Sequence, residues 1–309
     1  MGDQVLLIGA TLLDIKGQPD VGLEPGTSNP AVIRSTRGGT ARNVAENLAR
    51  LGASVTLLSA VGADLTGQRL LEQTAASGVN LDYVQTISTQ NTGAYIALLE
   101  KDGTLSVALD DVRVMAHITP DFLHSMRALF AEADMVMMDG SLTPAALKTV
   151  VQLAEEYQTP LCADPSSARL AYKLRPYFPH LHLVVPNEVE ALELCQMDLD
   201  RADPDISIKL ARQLIQSGVK HAVITLSDFG LTYATSDETG TIPARYSEMV
   251  DSTGTGDAIT AAIIFGMVND LPTVESMRLG AAAAGLTLQI HDTVVPELSL
   301  DMLYDHLIV

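Results

Sequence analysis

The sequence predicts an α/β fold, a doubly wound and mainly parallel sheet flanked by helices, and three observations carry that expectation. Short β-branched or leucine-rich runs alternate with longer segments of helical period. The runs are apolar without alternation, as strands covered on both faces must be. Two of the helical segments stop at a glycine before the next run begins.

In chain order, VLLIG (5–9) reads as the first buried strand and VTLLSAV (55–61) as another, separated by the helical TARNVAENLARLG (40–52). MVMMDG (135–140), PLCAD (160–164), LHLVVPN (181–187) and HAVITL (221–226) continue the strands. LTPAALKTVVQLAEEY (142–157) and DISIKLARQLIQSG (205–218) supply further helices. Two segments break this rhythm. Residues 15–36 hold too many Gly, Pro and Ser for a regular helix, and GAYIALLEKDGTLSVALD (93–110) alternates as a strand that turns at Lys101-Asp102-Gly103. Neither could bury a core by itself, so the expected organisation is one domain over 1–309, with insertions at about 15–36 and 91–111 forming a small β-lid over the sheet's carboxyl edge.

A chain of 309 residues, 47% hydrophobic and 18% charged, is a folded rather than a disordered one. Its formal charge of −19 repels nucleic-acid backbones and anionic membranes, so neither is expected as a partner. No apolar stretch approaches the roughly 18 residues of a membrane span, no basic segment precedes VLLIG as a signal peptide would, and Cys162 and Cys195 show no metal-ligand spacing. A reduced, cytoplasmic setting is expected.

Four clusters could carry chemistry. In DSTGTGDA (251–258), small residues lead into an apolar helix, whose first N–H groups and dipole favour an anion. Two readings fit Asp257 there: it or Thr255 caps the helix, or its carboxylate takes a proton from a hydroxyl that attacks a phosphoryl group in the cradle. In RGGTARN (37–43), Gly38 and Gly39 allow a sharp turn that places Asn43 in the first helical turn, where its amide could face a polar ligand; taken alone, the cluster reads more simply as an ordinary strand-to-helix loop. Asp14 follows the first strand on the side where α/β proteins bind ligands. In PNEVEAL (186–192), Asn187 and Glu190 lie one helical turn apart, suited either to hydrated Mg²⁺ or to a capping Asn with a solvated Glu. No GK[ST], G-x-G-x-x-G after the first strand, H-E-x-x-H or G-x-S-x-G occurs, and the seven histidines are scattered, which argues against a zinc site.

In this order the clusters resemble the ribokinase-like (PfkB) family of carbohydrate and nucleoside kinases. Gly38-Gly39-x-x-x-Asn43 is similar to its first signature and DSTGTGDA to its second, while Asn187-x-x-Glu190 and ITLSDFG (224–230) resemble its N-x-x-E and T-L-G-x-x-G segments. The match runs along essentially the whole chain. The resemblance implies ATP-dependent transfer of the γ-phosphoryl group to an alcohol, with Asp257 as general base and Gly254, Thr255 and Gly256 as the anion cradle. It places Asp14, Gly38, Gly39, Arg42, Asn43 and Asp139 on the substrate side and Asn187, Thr225, Ser227, Gly230 and Gly254 on the nucleotide side. Glu190 would act on Mg²⁺ through water, and Asp251 matches a position that in several relatives helps to hold a monovalent cation such as K⁺. Thr255 stands where the family usually has alanine, Ser252 where threonine is common, and Ser227 and Phe229 depart from the T-L-G-x-x-G pattern.

SNP (28–30), Arg42, the hairpin 91–111 and DPSSA (164–168) are similar to the family's nucleoside-phosphorylating members. The expected acceptor is therefore the 5′-hydroxyl of a ribonucleoside. A kinase of another sugar or nucleoside, such as ribose, inosine, guanosine or a fructose-type sugar, is the alternative, and a silent ligand sensor the rival from outside the enzymes. Alternating apolar residues on the hairpin suggest a homodimer through the lid.

Overall fold

The computed structural model describes residues 3–197, 205–226, 228, 230–246 and 248–307. Its strands are β1 (Gln4–Ile8), β2 (Leu12–Pro19), β3 (Ala31–Gly38), β4 (Ser54–Leu58), β5 (Ala60–Gly62), β6 (Gln85–Ile87), β7 (Gly93–Leu99) and β8 (Leu105–Asp111), followed by β9 (Met135–Asp139), β10 (Leu161–Asp164), β11 (Leu183–Val184), β12 (His221–Thr225), β13 (Leu231–Ala234) and β14 (Thr239–Ile242).

Eight of them form the central sheet in the order β14-β13-β12-β11-β10-β9-β1-β4. Pairing is parallel from β4 to β12, and β13 and β14 close the far edge antiparallel. The period-two alternation of strands divides the interior into two layers. Leu6, Ile8, Val136 and Met138 face one layer, whereas Val5, Leu7, Met135 and Met137 face the other. The second layer is roofed by the helices Thr40–Arg50, Thr255–Val268 and Thr273–Thr287, and the first by Pro144–Glu156 and Ile206–Gln216. Thr255–Val268 is buried almost all round, which is why its sequence is a continuous apolar run without a polar stripe.

The first two strands in the sheet's chain order, β1 and β4, are neighbours, and β9 then pairs on the opposite side of β1. This reversal opens a crevice at the carboxyl ends of β1 and β9, where α/β sheets bind ligands. The run 55–61 does not stay in one sheet as expected. Gly9 N–H donates to Leu58 O at 3.1 Å, but the next carbonyl, Ser59 O, accepts from Gln85 N–H at 2.9 Å, so β5 pairs with β6 instead.

The two rhythm-breaking segments supply a separate four-stranded sheet, β3-β2-β7-β8. Across it Asp14 pairs with Tyr95 and Tyr95 with Asp110. Those residues line a cleft, whereas the alternate positions Ile33, Ile96, Leu98, Val107 and Leu109 point away and are exposed, Ile33 by 69% and Leu109 by 67%.

The two longest helices meet where Gly280 lets Thr273–Thr287 approach Ile263, whose Cγ1 would lie 3.0 Å from any added Cβ. Ile263 is fully buried at that crossing. Ile263→Ala should lower the unfolding free energy by about 2–5 kcal/mol, measurable as a lower urea midpoint at unchanged m-value.

Candidate active site

A cleft of about 760 Å³ lies between the two sheets, lined among others by Asp14, Asn43, Glu190, Thr225 and Asp257. Five elements deliver these side chains. Asp14 stands on β2, Asn43 in the first turn of helix Thr40–Arg50, Glu190 in helix Glu188–Cys195, Thr225 at the end of β12, and Asp257 in the first turn of helix Thr255–Val268.

The cradle follows from one backbone conformation. Gly254 adopts φ +81, and a Cβ there would fall 2.1 Å from Thr293 O, so only glycine permits the turn. No side chain caps the helix that follows. Its first helical bond is from Ala258 N–H to Gly254 O at 2.9 Å, leaving the N–H groups of Gly256 and Asp257 without helical partners. The Thr255 hydroxyl is buried and has no partner, and a Cβ on Gly256 would meet nothing within 4 Å. Open N–H groups, an orphaned hydroxyl and free space at a helix N-terminus are suited to an anion. Of the two readings of Asp257, the capping one is therefore wrong.

Instead, Asp257 Oδ2 accepts from Asn43 Nδ2 at 2.6 Å. Burial pushes its carboxyl up to about 7; the Asn43 bond opposes the rise, Asp14 and Asp139 add to it, and Arg42 lowers it. Asp14 is likewise pushed up to about 6, mainly by burial, with Arg42 and Lys16 opposing. Gly39, at φ +96, brings the start of the Asn43 helix against Ala10 O, which lies 2.3 Å from where a Cβ would be. Gly38 makes room for Asp14, whose carboxylate lies 2.0 Å from the place of a Cβ, and does not itself line the cleft.

Several expected roles change. Arg42 is fully buried and does not reach the cleft; its guanidinium donates to Glu46 Oε2 at 2.5 Å and to Gly38 O at 2.9 Å. Asp139 is also fully buried, accepting from Ala10 N–H at 2.8 Å, Ala41 N–H at 3.2 Å and Ser141 N–H at 2.9 Å. It ties the crevice loops together rather than facing a substrate. Asp251, expected to help hold K⁺, gives both carboxylate oxygens to Lys16 Nζ at 2.7 Å, and Lys16 also reaches Thr253 Oγ1. Gly230 closes a turn, its N–H donating to Asp228 Oδ1 at 3.1 Å and its O accepting from Leu226 N–H at 2.9 Å, and it does not line the cleft. Ser227 lies outside the described residues.

Asn187 and Glu190 form a reciprocal capping box, Asn187 Oδ1 accepting from Glu190 N–H at 2.9 Å and Glu190 Oε2 from Asn187 N–H at 2.8 Å. The glutamate is not solvated; burial pushes it up to about 7. Asp164, at the end of β10, is held well above the usual carboxylate range by burial and by the nearby Glu190 and Asp257. Two close, dehydrated carboxylates of this kind fit a divalent cation that keeps waters and takes its other ligands from phosphates. Among the described residues no cluster of three or more His, Cys, Asp or Glu could hold a metal by itself.

Sequence reasoning missed Lys16, Asp164, Glu46 and the Tyr95–Asp110 row. Lys16 was legible in principle: two residues past Asp14 on a strand, it must share that residue's face.

The raised Asp257 carboxyl makes a stability prediction. The folded chain keeps a proton on Asp257 that the unfolded chain releases near pH 4, so stability conferred in acid is lost as pH rises towards 7. Asp257→Asn removes that loss. Its melting temperature relative to the wild type should therefore climb by a few degrees from about pH 5 to pH 8, up to about 3 kcal/mol at ~1.36 kcal/mol per pH unit.

Comparison with known proteins gives the family and the fold. Residues 3–299 match the model of the pfkB family carbohydrate kinases. The chain is 32% identical over 299 residues to pseudouridine kinase of Escherichia coli (strain K12), covering 96% of this chain and 94% of that one. It is 27% identical over 302 residues to guanosine-inosine kinase of Exiguobacterium acetylicum, covering 96% and 98%. The structure of Arabidopsis thaliana ribokinase complexed with ribose and ATP superposes with a TM-score of 0.83 at 22% identity, over 98% of this chain and 99% of that one, and shares its fold. The chain belongs to the pfkB family of carbohydrate kinases and is a phosphotransferase with an alcohol group as acceptor.

Proposed function

We propose that the protein transfers the γ-phosphoryl group of ATP to the 5′-hydroxyl of a ribonucleoside, with pseudouridine as the preferred acceptor. The observation that carries the chemistry is the 2.6 Å bond from Asn43 to Asp257 at the mouth of an uncapped helix. The substrate class rests on the 32% identity to a pseudouridine kinase along nearly the whole chain.

In this reading Asp14 and Asn43 hold the sugar hydroxyls, with Gly39 shaping the floor, and bring the 5′-oxygen into line with the phosphorus. Asp257 Oδ1 takes the hydroxyl proton while the new O–P bond forms and the bond from the γ-phosphorus to the ADP oxygen breaks. Charge growing on the outer phosphoryl oxygens meets the N–H groups of Gly256 and Asp257 and the Thr255 hydroxyl. Asn187 and Thr225 flank the nucleotide. Mg²⁺, when bound near Glu190 and Asp164, neutralises phosphate charge. Only the ionised carboxylate is a base, so turnover falls as pH drops through about 7.

The four-stranded sheet acts as the lid. Its inner face carries Asp14, Tyr95 and Asp110 to the cleft, and its exposed apolar outer face is suited to meet the same face of a second copy. The expected state is a homodimer closed through the lids.

Three outcomes follow. Asp257→Asn should lower the rate of ADP release about 10²–10⁴-fold with nucleoside binding retained, and a loss under about threefold would contradict the base. In a panel of pseudouridine, uridine, inosine, guanosine and ribose, pseudouridine should give the highest kcat/KM; phosphorylation of ribose alone would overturn the substrate. Light scattering at micromolar concentration should give twice the 32.9 kDa chain mass, and Leu109→Lys should return it to that of one chain.

A further inference from the structure

Fully buried Arg42 has no role in the reaction as drawn, yet it sits one residue from Asn43. Its Nη1 donates to Glu46 Oε2 at 2.5 Å, and both side chains are completely inaccessible. Its Nε donates to Gly38 O at 2.9 Å and its Nη2 to Arg37 O at 3.2 Å, so the guanidinium is clamped by the backbone that precedes the helix. The same Nη2 donates to Asn43 Oδ1 and, at 3.3 Å, to Thr293 Oγ1, whose own proton goes to Arg37 O at 2.7 Å. Glu46 is itself held on its other oxygen, by Arg50 at 2.8 Å and Arg37 at 3.1 Å.

Donor and acceptor chemistry gives this chain of contacts a direction. A guanidinium has only donors, so the Asn43 carbonyl must face Arg42 and its amide NH₂ must face Asp257. Turned the other way, the amide would oppose donor to donor at Arg42 and acceptor to acceptor at the carboxylate. We propose that Arg42, clamped by Glu46, is a positioning residue that locks the Asn43 amide so that it donates to Oδ2 of Asp257 and leaves Oδ1 aimed at the acceptor hydroxyl.

This inference rests on Asp257 being the base. The lock does two things for it. It orients the carboxylate, and with the cation behind it favours the ionised form against burial and against Asp14, Asp139 and Asp164, the other carboxyls that face this point from β2, β9 and β10.

The test is the pH profile of kcat at saturating ATP and nucleoside, where the contribution of Asp14 to binding drops out. Arg42→Met/Glu46→Leu removes both fully buried charges together, leaving the partly exposed Arg37 on Asp292 and Arg50 on Pro296 O. The acidic limb should move up by at least about half a pH unit, with kcat at pH 7 down about tenfold or more. A packing role alone would lower the melting temperature without moving the limb, and a folded double variant with an unmoved limb overturns the inference. Should the double variant not fold, Thr293→Val, which removes the hydroxyl that accepts from Arg42 Nη2 and ties it to Arg37 O, should move the limb the same way by less; no movement there overturns it equally. Asp257→Asn in parallel separates the two ideas: turnover within threefold of wild type removes the base itself, whereas a dead Asp257→Asn beside an unmoved limb removes only Arg42.

Discussion

The hydrogen bond from Asn43 to Asp257 is the constraint on which the arrangement of this protein depends. It joins two helix N-termini 214 residues apart in the chain, and each partner is where it is because of a backbone that tolerates little else. Gly39 allows the Asn43 helix to start against the end of β1, and Gly254 allows the Asp257 helix to start against Thr293. Thr293 touches both sides: its carbonyl abuts Gly254, and its hydroxyl donates to Arg37 O at 2.7 Å and accepts from Arg42 at 3.3 Å. The segment is thus a wedge that sets how far apart the two helix ends stand. A shift of an ångström there would separate the Asp257 carboxylate from the Asn43 amide.

Electrostatics around that bond resolve an apparent conflict. A chain of net charge −19 handles a polyanion, and the cleft itself gathers Asp14, Asp257 and Glu190, with Asp164 close by. Burial holds all four above the ordinary carboxylate range. The resting site therefore carries less negative charge than its composition suggests, and backbone N–H groups rather than a basic surface face the anion. Lys16, the lysine that β2 brings to the cradle loop, is itself matched by Asp251.

Much of this could be read from the sequence. The parallel strands and the helix starts at Gly39 and Gly254 were visible as apolar runs followed by small or polar residues, whereas the grouping of Asp14, Asn43, Asn187, Glu190 and Asp257 in one cleft came from the family resemblance. Boundaries failed where pairing partners decide: nothing local in VTLLSAV says that Ser59 O will bond Gln85 and leave the main sheet. Roles failed where burial decides. Arg42 and Asp139 look like ligand residues, because charged groups beside a glycine pair or at a strand end usually face solvent, but tertiary packing encloses both. Lys16 was passed over because a segment rich in Gly, Pro and Ser conceals that its ends are strands.

The position of β1 has a consequence for how the chain is made. It precedes the other described strands in the chain but lies inside the sheet, between β4 and β9, and the bond from Gln4 N–H to Asp134 closes only after 130 further residues. For that interval its β9 edge is an open template that β4 covers on one side only, the kind of long-range parallel pairing that slows folding and invites wrong partners. Asp257 arrives later still, after every strand of the central sheet. A nascent polypeptide stalled before that point could already hold every strand of the central sheet and still lack the Asn43 partner.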